Sequence, residues 1–238
     1  MKRYERQIAI QDIGVDGQKK LKNSSVLVIG AGGLGSPVLT YLCAAGVGRL
    51  GVVDSDTVDI SNLNRQTLHK QADVGKKKAE NAAKKLWALN PEVVVEAYDK
   101  RLDGKNVHAI FAGYDVVVDC VDNLSTRLLV SSVCKEIGTP LVEGGIEGFS
   151  GFVMSVVPGS ACYGCLLNNP SRKERHDIPV LGATAGAVGS VQAAECIKLL
   201  LHIGAPLVNK LLLIDLFTQQ FNTVDVKKNP QCSICKGE

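Results

Sequence analysis

The sequence lacks two features that would mark particular classes of protein: a large excess of charge of one sign and a long apolar run. It has 27 Lys and Arg against 24 Asp and Glu, so the net charge is only +3. That balance does not indicate a nucleic-acid partner. No apolar run approaches the ~18 residues that cross a bilayer, and no apolar segment follows the charged start MKRYERQ. We therefore expect a cytoplasmic protein without a membrane or nucleic-acid partner.

Internal repeats and low-complexity tracts are also absent from the sequence. Hydrophobic residues make up 45% of the chain and charged residues 21%, as in an ordinary globular protein. The 238 residues suffice for one large domain but not for a cofactor domain plus a full substrate domain. We predict a single domain over residues 1–238. Eight cysteines without an export signal indicate metal ligation or catalysis rather than disulfide bonds.

Strand-like runs alternate with helical stretches through the first half of the chain, which is typical of parallel βαβ units. The predicted strands of this half are 25–29, 50–53, 93–98, 116–119 and 140–143. After a glycine-rich turn at 144–151 come a strand at 152–157 and a closing hairpin of 210–217 and 219–226. The sequence thus predicts a Rossmann-like α/β fold, with a mostly parallel sheet and antiparallel C-terminal strands.

Helices are predicted between these strands at 34–45, 74–89 and 183–201. The second helix would be capped by Asp73 and stopped by Asn90 and Pro91. Its buried face is predicted to consist of Ala79, Ala82, Ala83, Leu86 and Trp87. The polar segment 168–179 is interpreted as an exposed loop.

A glycine-rich loop, VIGAGGLGSP at 28–37, joins the first predicted strand to the first predicted helix. Gly30, Gly32 and Gly35 fit the G-x-G-x-x-G pattern of dinucleotide-binding loops. Other nucleotides can occupy such a loop, because unpaired amide groups and the helix dipole favour any anion at a helix N-terminus. The loop alone leaves open whether NAD or another nucleotide binds.

The residues after the second strand favour a triphosphate over NAD. Asp54 stands where a dinucleotide-binding fold places its ribose-binding acid. A dinucleotide needs no arginine beyond that acid, whereas a triphosphate needs cations around its phosphates. Three lysines then crowd the first turn of the second helix, where cations oppose the helix dipole and so indicate a nearby anion. The candidate nucleotide-binding residues of this stretch are Asp56, Ser61, Asn62, Asn64, Arg65 and Gln66, and the lysines are Lys76, Lys77 and Lys78.

Acidic residues also follow the fourth predicted strand, at the edge where open α/β sheets bind ligands. Asp119 can cap the strand end, and Asp122 with Asn123 lies in the loop beyond it. Mg²⁺ usually takes only one or two protein carboxylates and completes its coordination with phosphate oxygens and water. Asp122 is therefore a candidate magnesium ligand.

Two C-x-x-C pairs, Cys162 with Cys165 and Cys232 with Cys235, stand far apart in the sequence. Such pairs can converge into a tetrahedral thiolate set, and both are bounded by Gly or Pro turns suited to zinc knuckles. The sequence predicts a closed, structural zinc site, with redox dithiols as the alternative. Of the other cysteines, only Cys120 lies near the predicted site, while three fall among apolar neighbours as core residues: Cys43, Cys134 and Cys196.

In combination, these motifs resemble one family. GAGGLG, D-S-D, S-N-L-N-R-Q, V-G-K-K-K, D-C-V-D-N and the paired C-x-x-C motifs occur in the order found in bacterial adenylyltransferases of ubiquitin-like sulfur carriers. These ThiF/MoeB-type enzymes, the molybdopterin-synthase and ThiS adenylyltransferases, are relatives of the ubiquitin-activating enzymes. The resemblance covers essentially the whole chain, beginning at RYERQ (3–7).

The resemblance implies that ATP, with Mg²⁺, occupies the glycine loop and adenylates the C-terminal glycine carboxylate of a carrier, releasing pyrophosphate. By this likeness Gly33 lies against the nucleotide and Asp54 holds the ribose. The residues that the resemblance assigns to the phosphates and their magnesium are Asn62, Arg65, Lys78 and Asp122.

The resemblance also implies partners. They are a sulfur carrier ending in Gly-Gly, a separate sulfur donor protein, and a second copy of the chain whose Arg6 reaches the phosphates. Thiamine-pathway members have a loop cysteine that links covalently to the carrier, whereas NNPSRKERHDIPVLG contains none. The choice between molybdopterin and thiamine biosynthesis stays open.

The sequence leaves three alternatives to adenylation. An NAD(P)-dependent oxidoreductase would have to explain Arg65, the lysine run and the lack of a proton donor. A non-catalytic binding subunit would not retain every expected charged position. A tRNA-modifying dehydratase of the same superfamily is disfavoured by the cysteine pairs and the small net charge. The histidines are scattered and interpreted as surface or core residues: His69, His108, His176 and His202.

Overall fold

The computed structural model describes residues 2–167 and 178–235. Eight strands of these residues form one sheet: β1 (Ser25–Ile29), β2 (Arg49–Val53), β3 (Val94–Tyr98), β4 (Val116–Asp119), β5 (Leu141–Glu147), β6 (Ser150–Val156), β7 (Lys210–Asp215) and β8 (Gln220–Asp225). The strand order is β3-β2-β1-β4-β5-β6-β7-β8. The strands β1 to β5 pair in parallel, and β5 to β8 pair antiparallel. The predicted fold class is confirmed.

Helices cover both faces of this sheet, which is why the central strands are apolar throughout. The helices are α1 (Glu5–Ile8), α2 (Gly14–Lys22), α3 (Gly35–Ala45), α4 (Lys78–Leu89), α5 (Val107–Phe111), α6 (Leu124–Ile137) and α7 (Gly182–Leu201). Every residue of β1 is buried. Its alternate side chains enter two separate cores: Val26 and Val28 pack with α3, α4 and α7, and Leu27 and Ile29 pack with α5 and α6.

Helix α4 corresponds to the second predicted helix but differs from it in two respects, the residue at which it begins and the residues of its buried face. It begins at Lys78, and Asp73 does not cap it, because the Asp73 carboxylate is buried in ion pairs with Lys76 at 3.0 Å and Lys85 at 2.8 Å. Lys76 and Lys77 therefore precede the helix instead of crowding its first turn. Trp87 is 64% exposed, since it lies off the stripe formed by the buried Ala79, Ala82 and Leu86. Ala83 is half-buried.

The glycine-rich segment 144–151 is mostly strand, so the prediction of a turn over that range is wrong. Gly144 pairs with Val153 and Gly145 with Phe152. A Cβ at Gly145 would collide with the Phe152 ring, and one at Gly144 with the Gln192 side chain. These glycines make room for packed side chains, and the chain turns only at Gly148 and Phe149.

The C-terminal half otherwise follows the predictions. The helix expected at 183–201 is α7, which begins one residue earlier, and the closing hairpin is β7 with β8. Within 2–167 and 178–235, no helix is apolar over a sufficient length to cross a bilayer. The predicted polar loop at 168–179, with His176, lies largely outside the described residues.

Candidate functional site

The candidate site lies at the carboxyl edge of the parallel strands. The chain leaves β1 for β2 and β3 on one side and then crosses to β4 on the other side. The glycine loop after β1 therefore lies beside the loop after β4, at the point where the strand order reverses. Open α/β sheets bind their ligands in the crevice at this point.

The glycine loop packs tightly against the end of β4. Gly30 has a φ of +97°, a conformation that favours glycine. A Cβ there would lie 2.8 Å from the carbonyl oxygen of Cys120. The loop then leads into α3, where the Ser36 amide donates to the Gly32 carbonyl at 2.9 Å and Pro37 has no amide hydrogen. The amides open to an anion at this helix end are therefore those of the glycine loop that precede Ser36. The loop is shaped for an anion at this helix end.

Asp54, directly after β2, holds the glycine loop in place through hydrogen bonds. Its Oδ2 accepts a hydrogen bond from the Ala31 amide at 2.8 Å, and its Oδ1 accepts one from the Asp56 amide at 2.9 Å. Burial raises the pKa of Asp54, while the nearby Lys78 ammonium opposes that rise. The carboxylate is thus fixed beside the loop with lone pairs left over for a hydroxyl donor.

His69 supports the glycine loop from a second direction. No sequence motif indicates this role. The Asn81 amide donates to Nδ1 of His69 at 2.8 Å, so the imidazole is the Nε2–H tautomer, and that group donates to the Ala31 carbonyl at 3.0 Å. Burial lowers the pKa of His69. His69 is a core residue, one of the two interpretations given for the histidines from the sequence, and it also supports the glycine loop. Its only signal in the sequence is its place between the S-N-L-N-R-Q motif and α4.

The S-N-L-N-R-Q segment places Arg65 against the loop. A Cβ built at Gly33 would lie 3.7 Å from Cγ of Arg65. The guanidinium donates to the Ser61 carbonyl at 2.9 Å and to Oδ1 of Asn64 at 3.0 Å. Asp59 caps the short 3-10 helix Ile60–Asn62, and Oδ1 of Asn62 completes the capping box by accepting from the Asp59 amide at 3.2 Å.

Gln66, at the end of this segment, is buried against the glycine loop. A Cβ built at Gly32 would lie 3.5 Å from its Nε2. Its Oε1 is a buried acceptor without a hydrogen-bond partner among the described residues. Of the polar residues named from this segment, Arg65 and Gln66 therefore lie against the glycine loop.

The three lysines differ in their surroundings. Lys76 pairs with Asp73, and Lys77 pairs with Asp99 at 3.2 Å away from the buried interior, its side chain 44% exposed. Lys78 has only 7% of its side chain exposed and pairs with Asp56 at 2.9 Å. Only Lys78 is a buried cation beside Asp54 and Asp56.

The loop after β4 carries the acids that the sequence singled out. Asp119 is buried and its Oδ1 accepts from the Val121 amide at 2.9 Å, so it caps the strand end as predicted. Asn123 caps α6 by accepting from the Thr126 amide at 2.9 Å. Asp122 stands between them with an exposed side chain. An exposed carboxylate on a fixed loop suits the single protein ligand that Mg²⁺ takes beside phosphate oxygens and water.

Cys120 is buried in this loop, and burial raises the pKa of its thiol well above the usual range. Its Sγ lies 3.9 Å from Oε1 of Gln192, whose amide donates to the Asp119 carbonyl at 2.7 Å. A buried, protonated thiol is a poor nucleophile. Cys120 is therefore part of the packing under the loop.

The four cysteines of the C-x-x-C pairs converge. The Sγ–Sγ separations are 3.9 Å for Cys162–Cys165, 3.6 Å for Cys162–Cys232 and 3.4 Å for Cys165–Cys235. All four sulfurs lie within 4.8 Å of one another and are buried. A tetrahedral zinc site with Zn–S bonds of about 2.3 Å has S–S edges of about 3.8 Å. The cysteine knuckle, Cys162, Cys165, Cys232 and Cys235, thus has the dimensions of a tetrathiolate metal site.

Arg6 lies at the other edge of the sheet within its own chain. Its neighbour Gln7 donates to the Ala45 carbonyl at 3.1 Å, and Ala45 is the last residue of α3. The glycine loop lies at the first residue of the same helix, about 16 Å away for an 11-residue helix. The structure therefore does not bring Arg6 together with the other predicted site residues of its chain.

Two known proteins are similar to this chain over nearly its whole length. The SAMP-activating enzyme E1 of Haloferax volcanii is 46% identical, over 98% of this chain and 88% of that protein. The sulfur carrier protein adenylyltransferase of Thermus thermophilus is 46% identical, over 99% of this chain and 91% of that protein. Both likenesses extend far beyond the glycine loop.

A solved structure and a family model are also similar to this chain. A crystal structure of E. coli MccB with ATP superimposes with a TM-score of 0.82 at 26% identity, covering 92% of this chain and 68% of that one. The model of the ThiF family matches residues 4–234. The chain belongs to the ThiF family.

Proposed function

We propose that this chain adenylates the C-terminal glycine carboxylate of a ubiquitin-like sulfur carrier, using ATP and Mg²⁺ and releasing pyrophosphate. The observation that carries the proposal is the meeting, at one edge of the sheet, of the glycine loop, Asp54, Arg65 and Lys78 with the exposed Asp122. The names of the Haloferax and Thermus relatives, a SAMP-activating enzyme and a sulfur carrier protein adenylyltransferase, support the same reaction. The family match over 4–234 supports a single adenylation domain over 1–238.

The chemistry asks for positioning and charge neutralisation. A glycine carboxylate is ionised at neutral pH, so its in-line attack on the α-phosphate needs no general base. Arg65 and Lys78 would hold the phosphates, Asp54 the ribose, and the amides of the glycine loop an oxygen of the triphosphate. Mg²⁺ on Asp122 would supply neutralisation of charge on the leaving pyrophosphate.

Lys78 would change partners when ATP binds. Its present partner Asp56 has 67% of its side chain exposed. A released Asp56 carboxylate would be solvated by water, and the buried Lys78 ammonium would keep an anionic partner in the phosphate. The exchange of Asp56 for a phosphate would therefore cost little, which suits Lys78 to a cycle of binding and release.

The cysteine knuckle would hold one Zn²⁺ in a structural role. A closed set of four thiolates leaves no position for a substrate. The knuckle would tie the segment after β8 to the one after β6, so that metal binding contributes directly to the stability of the fold.

We infer that the active form is a homodimer in which Arg6 of each subunit completes the other subunit's site. Within one chain Arg6 belongs to the edge opposite the glycine loop, so a role at the phosphates requires a second copy. Sulfur would be delivered by a separate donor protein, and the carrier could serve molybdopterin or thiamine biosynthesis.

Pyrophosphate exchange into ATP, measured with candidate carriers ending in Gly-Gly, tests the proposed reaction. Exchange should require the carrier, and Arg65→Ala and Asp122→Ala should each lower it by about 100-fold or more. Undiminished exchange in both variants would refute the site assignment. Binding of NAD in place of ATP would instead favour the oxidoreductase alternative, which the relatives' activities do not support.

A further inference from the structure

Arg127 is a buried cation to which the proposed chemistry assigns no role. It lies one turn into α6, with 7% of its side chain exposed. Its Nε is 3.4 Å from Asp119 and its Nη1 is 3.6 Å from Glu143. Burial and the neighbouring Asp119 raise the pKa of Glu143 well above its usual range. The Arg127 guanidinium therefore lies between two buried carboxyl groups, and removing it would leave Asp119 without its cationic partner.

On one side, Arg127 fixes the loop that contains Asp122. Its Nη2 donates to the Val121 carbonyl at 2.8 Å. The Val121 amide donates to Asp119 at 2.9 Å, and Asp119 is itself paired with Arg127. Both backbone polar groups of Val121, the residue next to Asp122, thus depend on this ion pair.

On the other side, Arg127 contacts two aromatic residues, one of which lies next to the cysteine knuckle in the sequence. Its guanidinium carbon lies 5.0 Å from the ring centroid of Tyr163 and 5.5 Å from that of Phe152. The two rings stack at 5.8 Å, and Tyr163 is the residue directly after Cys162. Farther along α6, Lys135 donates to the Cys235 carbonyl at 3.0 Å. The same helix therefore contacts both cysteine pairs.

We propose that Arg127 is a positioning residue that couples the cysteine knuckle to the Asp122 loop, so that loss of the knuckle's metal weakens metal-dependent nucleotide binding. The proposal rests on the proposed role of Asp122 in holding Mg²⁺. The planar guanidinium matters, because it stacks on the Tyr163 ring while donating in its plane to Val121. A lysine ammonium cannot do both.

The test measures the affinity for a non-hydrolysable ATP analogue by calorimetry, with and without Mg²⁺. The ratio of the two dissociation constants is the magnesium gain. Arg127→Lys and Tyr163→Leu should lower this gain by about ten-fold and leave the metal-free affinity unchanged. Tyr163→Phe, which keeps the ring, should retain the wild-type gain. Zinc content and melting temperature are recorded for each variant.

Removal of zinc by a chelator provides the second arm. In the wild type it should lower the magnesium gain, whereas in Arg127→Lys it should lower it no further, since the coupling is already lost. An unchanged gain in Tyr163→Leu and Arg127→Lys, or an equal fall with and without Mg²⁺, would overturn the coupling.

Asp122→Asn separates the two proposals. Its magnesium gain should be abolished. A full gain in Asp122→Asn would overturn the proposed magnesium role and the coupling with it. Loss in Asp122→Asn with full gain in Arg127→Lys and Tyr163→Leu would overturn the coupling alone.

Discussion

His69 lies outside the family motifs, yet its hydrogen bond to Ala31 helps to fix the glycine loop. Its neutral imidazole accepts from Asn81 and donates to Ala31, so protonation of Nδ1 would replace an acceptor with a second donor facing the Asn81 amide. The charged groups around it are Lys78, Asp54 and Asp73. A proton on His69 would also face the buried Lys78 ammonium.

The lowered pKa of His69 predicts a pH-dependent stability. The unfolded state binds a proton near the ordinary histidine pKa of about 6.5, and the folded state binds it only at lower pH. Stability is therefore lost as pH falls below that value, by at most about 1.4 kcal/mol per pH unit. His69→Gln should remove this part of the dependence in denaturant unfolding at about pH 7.5 and 5.5.

His108→Gln is the matched control, because His108 is half-exposed beside Glu136. The loss of stability at acidic pH that is assigned to His69 should persist in this variant. If His69→Gln also kept the wild-type dependence, the neutral tautomer assigned to His69 would be wrong. The lowered pKa of Asp73 affects stability only at more acidic pH, below the ordinary range of a carboxyl group.

Lys77 and Lys78 provide a second test at the residue scale. The two are adjacent, yet only Lys78 is buried beside the glycine loop. Lys78→Ala should lower carrier-dependent pyrophosphate exchange by about 100-fold, whereas Lys77→Ala should leave it within about two-fold. Equal losses in both variants would mean that the lysine run acts as a diffuse charge.

The predicted site residues and the missed ones differ in the kind of signal they leave. Asp54 and Asp122 follow apolar strands, so their position at the carboxyl edge is visible in the sequence. The bridges from His69 to Ala31 and from Arg127 to Val121 depend on how side chains cross between elements. Neither has a spacing that a sequence pattern can show.

At the scale of elements, strands were predicted better than helix ends. The central parallel strands β1, β2 and β4 are short, largely apolar runs with both faces buried, and tertiary packing only shifts their limits. The start of α4 was misplaced because the carboxylate of Asp73, which suits a helix cap, pairs with Lys76 and Lys85 instead. The turn at 144–151 was misplaced because glycine signals close packing as well as turning.

The cysteine knuckle is an element whose metal can be removed. We expect one tightly bound zinc per chain, detected by elemental analysis of protein purified without a chelator. Cys165→Ala should lose the zinc and lower the melting temperature by about 10 °C or more. Cys43→Ala, which truncates a core thiol outside the knuckle, should keep the zinc. Absence of zinc from the wild type would contradict the metal assignment.

The whole assembly is tested by mixing inactive subunits. Arg6→Ala and Asp122→Ala homodimers should each be nearly inactive. One site of each mixed dimer would receive both residues intact. Random pairing makes about half of the dimers mixed, so an equal mixture should recover roughly a quarter of wild-type activity.

Two different affinity tags would show that the subunits exchange. Exchange without recovery of activity would mean that Arg6 acts within its own chain or only in packing. The placement of Arg6 at the edge opposite the glycine loop argues for the shared site, because a residue there cannot reach the phosphates of its own chain.

Mass spectrometry of the carrier itself tests the central claim most directly. A candidate carrier ending in Gly-Gly is incubated with the protein, ATP and Mg²⁺ and analysed intact. The account predicts a species heavier by one adenylyl group, which is absent with Asp122→Ala and with a carrier that lacks its last glycine. ATP turnover that leaves every Gly-Gly carrier unmodified would contradict the account.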